Sequence, residues 1–348
     1  MKPVIVIPTL NEAEHITSVI RALSAPMAHD GLKARIWIVD GLSSDGTATI
    51  VRNLKLKHVS IIENPHRTQA HAMNLAAKRA QELGDIDVLV RVDAHARYTC
   101  DFLPTVMKAL TETGAESVVV PLETIGGTRI QNAAAILFQS WMGNGGSPHR
   151  TGTSRGMVEH GHHAAIRLDA YVAVGGYDTD FLANEDAEFD HRLISSGRRI
   201  FLENKVSIGY IPRATLTETF HQYRRNGTYR IRRAIKHRLP LGLRQALPAI
   251  LLPVLIINTI LAALVSPFFL LVLAGYAISV IISSFIISKH RGQTHLFYFV
   301  AALAAASHLG FSLGASGEFL RCCASSTRRQ FLRNDKDRLL TKTISRGA

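Results

Sequence analysis

The sequence predicts an α/β fold, a mainly parallel sheet with helices on both faces, followed by helices long enough to cross a membrane. Three observations lead there. Short apolar runs alternate with helical periodicity over the first 125 residues, the pattern of strand–helix–strand units. Two of those runs, Trp37-Ile38-Val39-Asp40-Gly41 and Val90-Arg91-Val92-Asp93-Ala94-His95, stop abruptly in acidic and polar residues. In open α/β sheets the crevice outside such strand ends is where ligands bind. Finally, no Asp, Glu, Lys or Arg occurs from Ala246 to Ser288.

The expected strands are Val4–Pro8, Arg35–Asp40, Val59–Ile62, Val88–Val92 and Ser117–Pro121. The expected helices between them are Glu12–Leu23, Thr47–Leu54, Thr68–Leu83 and Asp101–Thr113. Ser44 or Asp45 can cap the second helix, and Thr99 or Asp101 the fourth. Residues 122–220 are less regular and rich in Gly and His, and no internal repeat occurs.

The uncharged stretch has room for two spans of roughly 20 residues each. They fall near 247–265 and 268–288, with Ser266-Pro267 as the turn. A third apolar segment runs from about His295 to Leu313 and carries His308. Soluble helices rarely run two dozen residues without a charge, which argues against a soluble-core reading.

Charge is unevenly spread. Arg198–Arg244 holds twelve Lys/Arg against two Asp/Glu, and Arg321–Ala348 eight against two. A block this basic suits nucleic acid, anionic lipid or a diphosphate. It abuts a span, and few aromatic residues are interleaved as single-strand binding requires, so nucleic acid is not expected. Lys and Arg near the spans place the first block, and the N-terminal region with it, in the cytoplasm. Lys289 and Arg291 agree. Arg321, Arg328, Arg329 and Arg333 do not if the third segment crosses fully, so that segment is re-entrant or interfacial, or the rule is broken here. No signal peptide pattern is visible, because Val4–Ile7 is too short and Asn11-Glu12 follow at once. Cys100, Cys322 and Cys323 form no disulfide framework.

Seven segments bear on chemistry. Pro8-Thr9-Leu10-Asn11-Glu12 reads by itself as a turn and helix cap. Asp40-Gly41-Leu42-Ser43-Ser44-Asp45-Gly46-Thr47 is either a capped Gly-rich turn or a nucleoside pocket, with Asp40 accepting a bond from base or ribose. Arg67, at a helix start that favours anions, can touch a base or a phosphate, or be an ordinary surface residue. Asp93 and His95, two apart on an extended segment, would point to one face and could meet one divalent cation. Glu185 and Asp186, at a helix start after the Gly175-Gly176-Tyr177-Asp178 loop, either favour the helix dipole or supply a general base. His221-Gln222-Tyr223-Arg224-Arg225 either binds lipid headgroups or clamps a diphosphate through Arg224 or Arg225. The histidine-rich run Gly156–His163 lacks the paired spacing of a zinc site and reads as a loop lining a sugar pocket.

Together and in this order, these motifs resemble the family 2 glycosyltransferases with the GT-A fold. The resemblance covers roughly residues 1–235, with Asp-x-His standing where that family usually has Asp-x-Asp. The variants Arg-Val-Asp-Ala-His-Ala and Asn-Pro-x-Arg-Thr-Gln-Ala, with the C-terminal spans, look most like the succinoglycan-type exopolysaccharide glucosyltransferases of bacteria.

The resemblance implies a cytosolic GT-A domain over 1–235, a basic juxtamembrane segment at 236–246, two to three membrane or re-entrant helices over 247–315 and a basic tail at 316–348. It implies an inverting hexosyl transfer, from UDP-glucose, to a polyprenyl-diphosphate-linked saccharide at the bacterial inner membrane. Pro8, Thr9, Asn11, Glu12, Asp40, Arg67 and Asp93 would hold the nucleotide sugar, and Gln222, Arg224 and Arg225 its leaving diphosphate. Asp93 and His95 would bind Mn²⁺ or Mg²⁺, and imidazole suits Mn²⁺ better. Asp186 would be the catalytic base, with Glu185 beside it. The alternatives are transfer to polyprenyl phosphate itself, processive polymer synthesis, or a non-catalytic nucleotide-binding scaffold. Processive synthases carry a Gln-x-x-Arg-Trp motif, whereas Asn226 follows Arg225 here.

Overall fold

The computed structural model describes residues 1–29, 33–145, 152 and 154–344, with no side chain described beyond 324. The side chains of Arg328, Arg329 and Arg333, and residues 345–348 of the expected tail, therefore lie outside the described residues. The chain forms two compact units, Met1–Leu216 with Val280–Ala304, and Thr217–Ser279 with the chain from Ala305 onward.

In the first unit the order is β1 (Pro3–Thr9), α1 (Ile16–His29), β2 (Arg35–Asp40), α2 (Thr47–Asn53), β3 (Val59–Glu63), α3 (Gln69–Leu83), β4 (Val88–Arg91), β5 (Ala96–Arg97), α4 (Phe102–Thr113), β6 (Ser117–Val120) and β7 (Leu122–Thr124). There follow α5 (Arg129–Phe138), α6 (Trp141–Asn144), β8 (Gly156–Val158), β9 (His162–Arg167), α7 (Leu168–Ala173), α8 (Glu185–Ser195), β10 (Ile200–Leu202) and β11 (Ile208–Tyr210). Among the described residues the main sheet has the order β3-β2-β1-β4-β9-β6-β10-β8, and β5-β11-β7 form a small second sheet.

Strand alternation builds the two cores. Val4 and Val6 of β1 face one side with Trp37 and Val39, against Ala72, Met73 and Ala76 of α3. Ile5 and Ile7 face the other with Ile36 and Ile38, against Ile16 and Ile20 of α1. Each fully buried Val or Ile contributes roughly 1.5–3 kcal/mol, so helices on both faces follow directly from strands that are apolar throughout. The five expected strands and four expected helices are all present. The first helix begins later than expected, at Ile16. The backbone N–H groups of Glu12 and Ala13 are drawn instead to Thr47 Oγ1 and Asp45 Oδ2, both at 2.9 Å.

The sheet is not wholly parallel. β9 runs antiparallel between β4 and β6, and β8 antiparallel beside β10. The expected sugar-pocket loop at Gly156–His163 is thus largely strand. Its histidines open β9, and an antiparallel strand begins where its parallel neighbours end. This places His162 and His163 beside the carboxyl end of β4. The order also reverses at β1, between β2 and β4, which marks the crevice there as the topological switch point.

The later helices are α9 (Leu216–His237), α10 (Leu243–Leu264), α11 (Leu270–His290) and α12 (Phe297–Ile344). Three apolar stretches, Leu243–Leu264, Pro267–His290 and Thr294–Ala324, are long and apolar enough to cross a membrane. Most of the third stretch lies within the single helix α12. Within the second unit, α9 and α12 pack with their backbones almost touching. A Cβ on Gly314 would lie 1.9 Å from Arg224 O, and one on Gly227 2.1 Å from Phe311 O. Arg232 Nε donates to Glu318 Oε1 at 2.8 Å along the same seam. Helix α10 contains Pro248 and Pro253. Pro253 has no N–H for the carbonyl of Ala249. Ser312 Oγ of α12 donates to that carbonyl at 3.0 Å and accepts from Leu252 N–H at 2.7 Å.

Candidate active site

The switch-point crevice is lined by Pro8, Thr9, Leu10 and Glu12 from the end of β1, Asn64, Arg67, Thr68 and Gln69 around the start of α3, and Asp93, Ala94 and His95 after β4. Sequence reasoning pointed to Pro8, Thr9, Glu12, Arg67, Asp93 and His95 here. It did not single out Asn64, Thr68 or Gln69 as site residues, although all three lie within the Asn-Pro-x-Arg-Thr-Gln-Ala run. Four residues other than glycine with positive φ, Asn11, Leu42, Arg67 and Asn184, sit in the loops at this end of the sheet. Such conformations cost of order 1–3 kcal/mol each and cluster at functional sites.

The β1 and β2 loops are stitched together. Asp40 is 4% exposed. It accepts from Thr9 Oγ1 at 3.0 Å, Ser43 N at 2.9 Å and Ser43 Oγ at 2.6 Å. Asn11 Oδ1 accepts from Ser44 N at 2.9 Å, and Asn11 N donates to Ser43 Oγ at 2.9 Å. Asp40 and Asn11 therefore shape the wall of the crevice through the loops they hold.

Asp93-Ala94-His95 differs from the expected extended segment. Strand β4 stops at Arg91, and these residues form a turn closed by Ala96 N–H donating to Asp93 O at 3.3 Å. The two side chains take different partners. His95 Nδ1 donates to Glu12 Oε1 at 3.0 Å. This bond raises the pKa of His95, with burial working against it. Asp93 is met by Gln69 Nε2 at 3.2 Å, Arg91 Nε at 3.4 Å and His162 Nε2 at 3.3 Å. Burial opposes its charge, but Arg91 and then His162 outweigh burial and hold the carboxyl far below the usual range. Burial pulls the pKa of His162 down, against the field of Asp93. Tyr98 OH accepts the backbone N–H of Asp93 at 2.8 Å and fixes the turn.

Glu185 and Asp186 open α8 behind an N-cap Asn184 with φ of 55°. Glu185 Oε1 lies 3.5 Å from Arg91 Nη1. Burial and then the neighbouring Asp186 push the Glu185 carboxyl up to about 7, against the pull of Arg91. Asp186 goes the other way. Burial opposes its charge, but His160 and Arg91 hold it well below the usual carboxylate range. One member of the pair is thus ionised at neutral pH and the other is poised, the divergence expected of acid–base partners. Asp186 is also the more accessible of the two.

Arg91 and Tyr177 were read only within longer motifs, His162 and His163 only within the expected sugar-pocket loop, and Asp190 was not singled out. Arg91 stood out only as a charge within an apolar strand. Gln222, Arg224 and Arg225 lie on α9 in the second unit.

The donor set suits a divalent cation. Asp93 offers a carboxylate whose charge Arg91 supports, and the Glu12 bond to His95 Nδ1 leaves Nε2 as the other ring nitrogen of an imidazole held as in carboxylate–histidine pairs. No group of three or more His, Cys, Asp or Glu able to hold a metal occurs among the described residues.

An open α/β sheet with acidic residues at its switch point and a carboxylate pair at a nearby helix start is the layout of a nucleotide-sugar transferase. The chain matches the model of glycosyl transferase family 2 over residues 4–175. It is 45% identical over 253 residues to the succinoglycan biosynthesis protein ExoA of Rhizobium meliloti, covering 72% of this chain and 75% of that protein. The chain belongs to the family 2 glycosyltransferases. It is also 26% identical over 231 residues to a dolichyl N-acetyl-α-D-glucosaminyl phosphate 3-β-D-2,3-diacetamido-2,3-dideoxy-β-D-glucuronosyltransferase of Methanococcus voltae, covering 63% of this chain and 69% of that protein. Among solved structures it resembles the mannosyltransferase PcManGT of Pyrobaculum calidifontis, in complex with GDP-Man and Mn²⁺. That likeness has a TM-score of 0.57 at 20% identity and covers 88% of this chain and 87% of the other. It bears out the expected GT-A fold.

Proposed function

We propose that the protein is an inverting, divalent-metal-dependent hexosyltransferase that moves glucose from UDP-glucose onto a polyprenyl-diphosphate-linked saccharide in bacterial exopolysaccharide synthesis. The observation that carries this reading is that Asp93, beside the switch-point crevice, and Glu185, next to Asp186, both pair with Arg91. The name of the 45% identical relative supports the pathway. The dolichyl-linked sugar in the name of the other relative, with three helices able to cross a membrane, supports a lipid-linked acceptor.

On this reading Pro8, Thr9, Asn11, Glu12, Asp40 and Arg67 shape the nucleotide pocket. Asp93 and His95 hold Mn²⁺ or Mg²⁺, which supplies positive charge against the donor diphosphate. Asp186 takes the proton of an acceptor hydroxyl as its oxygen attacks the anomeric carbon. The bond from that carbon to the diphosphate oxygen breaks, the nucleoside diphosphate leaves from the opposite face, and the configuration inverts. A positioned base contributes roughly 10²–10⁴-fold. Glu185 sits beside Asp186 and keeps the pair's charge low. Gln222, Arg224 and Arg225 steady the leaving diphosphate. Residues 1–235 form the cytoplasmic transferase domain, 236–246 meet the headgroups, 247–315 anchor the enzyme in the inner membrane, and 316–348 form a basic tail.

The test is transfer of radiolabelled sugar from a panel of nucleotide sugars into organic-extractable lipid, with membranes supplied with or without Mn²⁺. Metal-dependent label in lipid from UDP-glucose is expected. Label in an insoluble polymer would replace this reading with a processive synthase. No transfer from any donor, with acceptor lipids present, would leave a non-catalytic scaffold.

A further inference from the structure

Arg91 is the only charged residue of β4, and it is 5% exposed. A buried guanidinium costs several kcal/mol unless its donors are met. Here they face groups from the end of its own strand and from residues 177–185. Nε points to Asp93 Oδ1 at 3.4 Å, and Nη1 to Glu185 Oε1 at 3.5 Å and to Tyr177 OH at 3.3 Å. The tyrosine is itself fixed. Its hydroxyl hydrogen-bonds His163 Nδ1, and His163 Nε2 meets Asp190 Oδ1 at 2.6 Å. The donors run in one direction along this chain, from guanidinium to phenol to imidazole to carboxylate. Every member from Tyr177 to Asp190 is essentially buried.

We infer that Arg91 is a positioning residue that couples the cation-side carboxylate Asp93 to the Glu185–Asp186 pair, with Tyr177 anchoring its orientation through His163 and Asp190. This rests on the donor and base assignments proposed above. One planar fork shared by two carboxylates fixes their separation, which a flexible ammonium cannot do. The fork also makes the two ends compete. Removing the charge of Glu185 lets Arg91 turn wholly to Asp93, and a more fully paired Asp93 holds a cation less well. A change at Glu185 therefore registers at the donor crevice, although neither Glu185 nor Tyr177 lines it.

The experiment measures binding of UDP, with GDP and ADP alongside, in the presence and absence of Mn²⁺. It uses the full chain in detergent as wild type, Glu185→Gln, Tyr177→Phe, Arg91→Met and the Glu185→Gln/Arg91→Met double variant. Glu185→Gln and Tyr177→Phe should each weaken Mn²⁺-dependent binding about three- to tenfold, and Glu185→Gln should add nothing in the Arg91→Met background. Wild-type affinity in both single variants overturns the coupling. So does an equal effect of Glu185→Gln with and without Arg91. If Arg91→Met does not fold, Arg91→Lys takes its place in the cycle, because it keeps the charge and loses the fork. Wild-type protein that binds none of the three nucleotides, with or without Mn²⁺, overturns the donor-site reading itself and Arg91 coupling with it.

Discussion

Glu12 and His95, 83 residues apart in sequence, meet at 3.0 Å through Oε1 and Nδ1. The contact joins the loop after β1 to the turn after β4, across the switch point. It selects the imidazole tautomer with its proton on Nδ1 and leaves Nε2 as the lone-pair nitrogen. Carboxylates that support a ligating histidine in this way typically matter 10–100-fold for metal affinity. Glu12→Gln should therefore raise the Mn²⁺ concentration needed for half-maximal nucleoside diphosphate binding by about tenfold. A Mn²⁺ titration identical to wild type would leave Glu12 a wall of the pocket and nothing more.

Asp186→Asn should abolish sugar transfer and leave nucleoside diphosphate binding nearly intact. The base acts only when the acceptor hydroxyl is attacked, so its loss appears in kcat, with a decrease of about 10²–10⁴-fold. Nucleotide binding lost in parallel would move Asp186 out of the base role and into the donor pocket.

The Arg155–Glu203 pair gives a pH prediction away from the crevice. Arg155 Nη2 lies 2.7 Å from Glu203 Oε2, and Glu203 is 2% exposed. Burial opposes the carboxylate charge, but the Arg155 bonds, helped by the Lys205 backbone N–H, hold its pKa below the ordinary glutamate value. A depressed folded-state pKa means stability that is complete above the unfolded value of about 4.3 and lost as pH falls through the folded value. Thermal melts should show wild type exceeding Glu203→Gln at pH 7, with the gap closing below about pH 4. A gap that stays constant down to pH 3 would remove the pair from the stability of the domain.

The α9–α12 seam should be intolerant of side chains. Gly314→Val puts its Cβ onto the Arg224 carbonyl, with backbone on both sides and nothing flexible to move. Overpacking of this kind costs typically 1–3 kcal/mol or more. Gly275→Ala, whose Cβ would meet nothing within 4 Å, is the matched control. In detergent, Gly314→Val should melt several degrees lower and Gly275→Ala should match wild type. Equal melting of the two would mean that the seam carries little of the stability.

The strands that form the crevice were legible because each is an apolar run cut off by polar residues, and that contrast is local. Ser43, Asp45 and Thr47 were also legible as turn formers through their local bonds, such as Ser43 to Asp40 and Thr47 to Asp45, but not as the partners of Asn11, Glu12 and Ala13. The center of the site was not. Arg91 looks like an interruption of a strand until Glu185 and Tyr177, 94 and 86 residues away, are brought to it. Strand β9 was hidden because His162-His163-Ala164-Ala165-Ile166-Arg167 begins with two histidines, which read as polar loop. Asp93-Ala94-His95 was read as extended because the two-residue spacing fits a strand. The turn that replaces it depends on Tyr98 capturing the Asp93 N–H, a contact no spacing rule predicts.

The Ser312 contact with Ala249 and Leu252 bears on how the chain is made. The first apolar helix leaves the ribosome with an unmet carbonyl opposite Pro253. Inside hydrocarbon such a group costs several kcal/mol. Its partner is encoded about 60 residues later, on the third apolar helix. Helix α10 therefore completes its backbone bonding only after α12 has been synthesised and has reached it. The register of α10 against α12 is thus held by a bond that neither helix supplies alone.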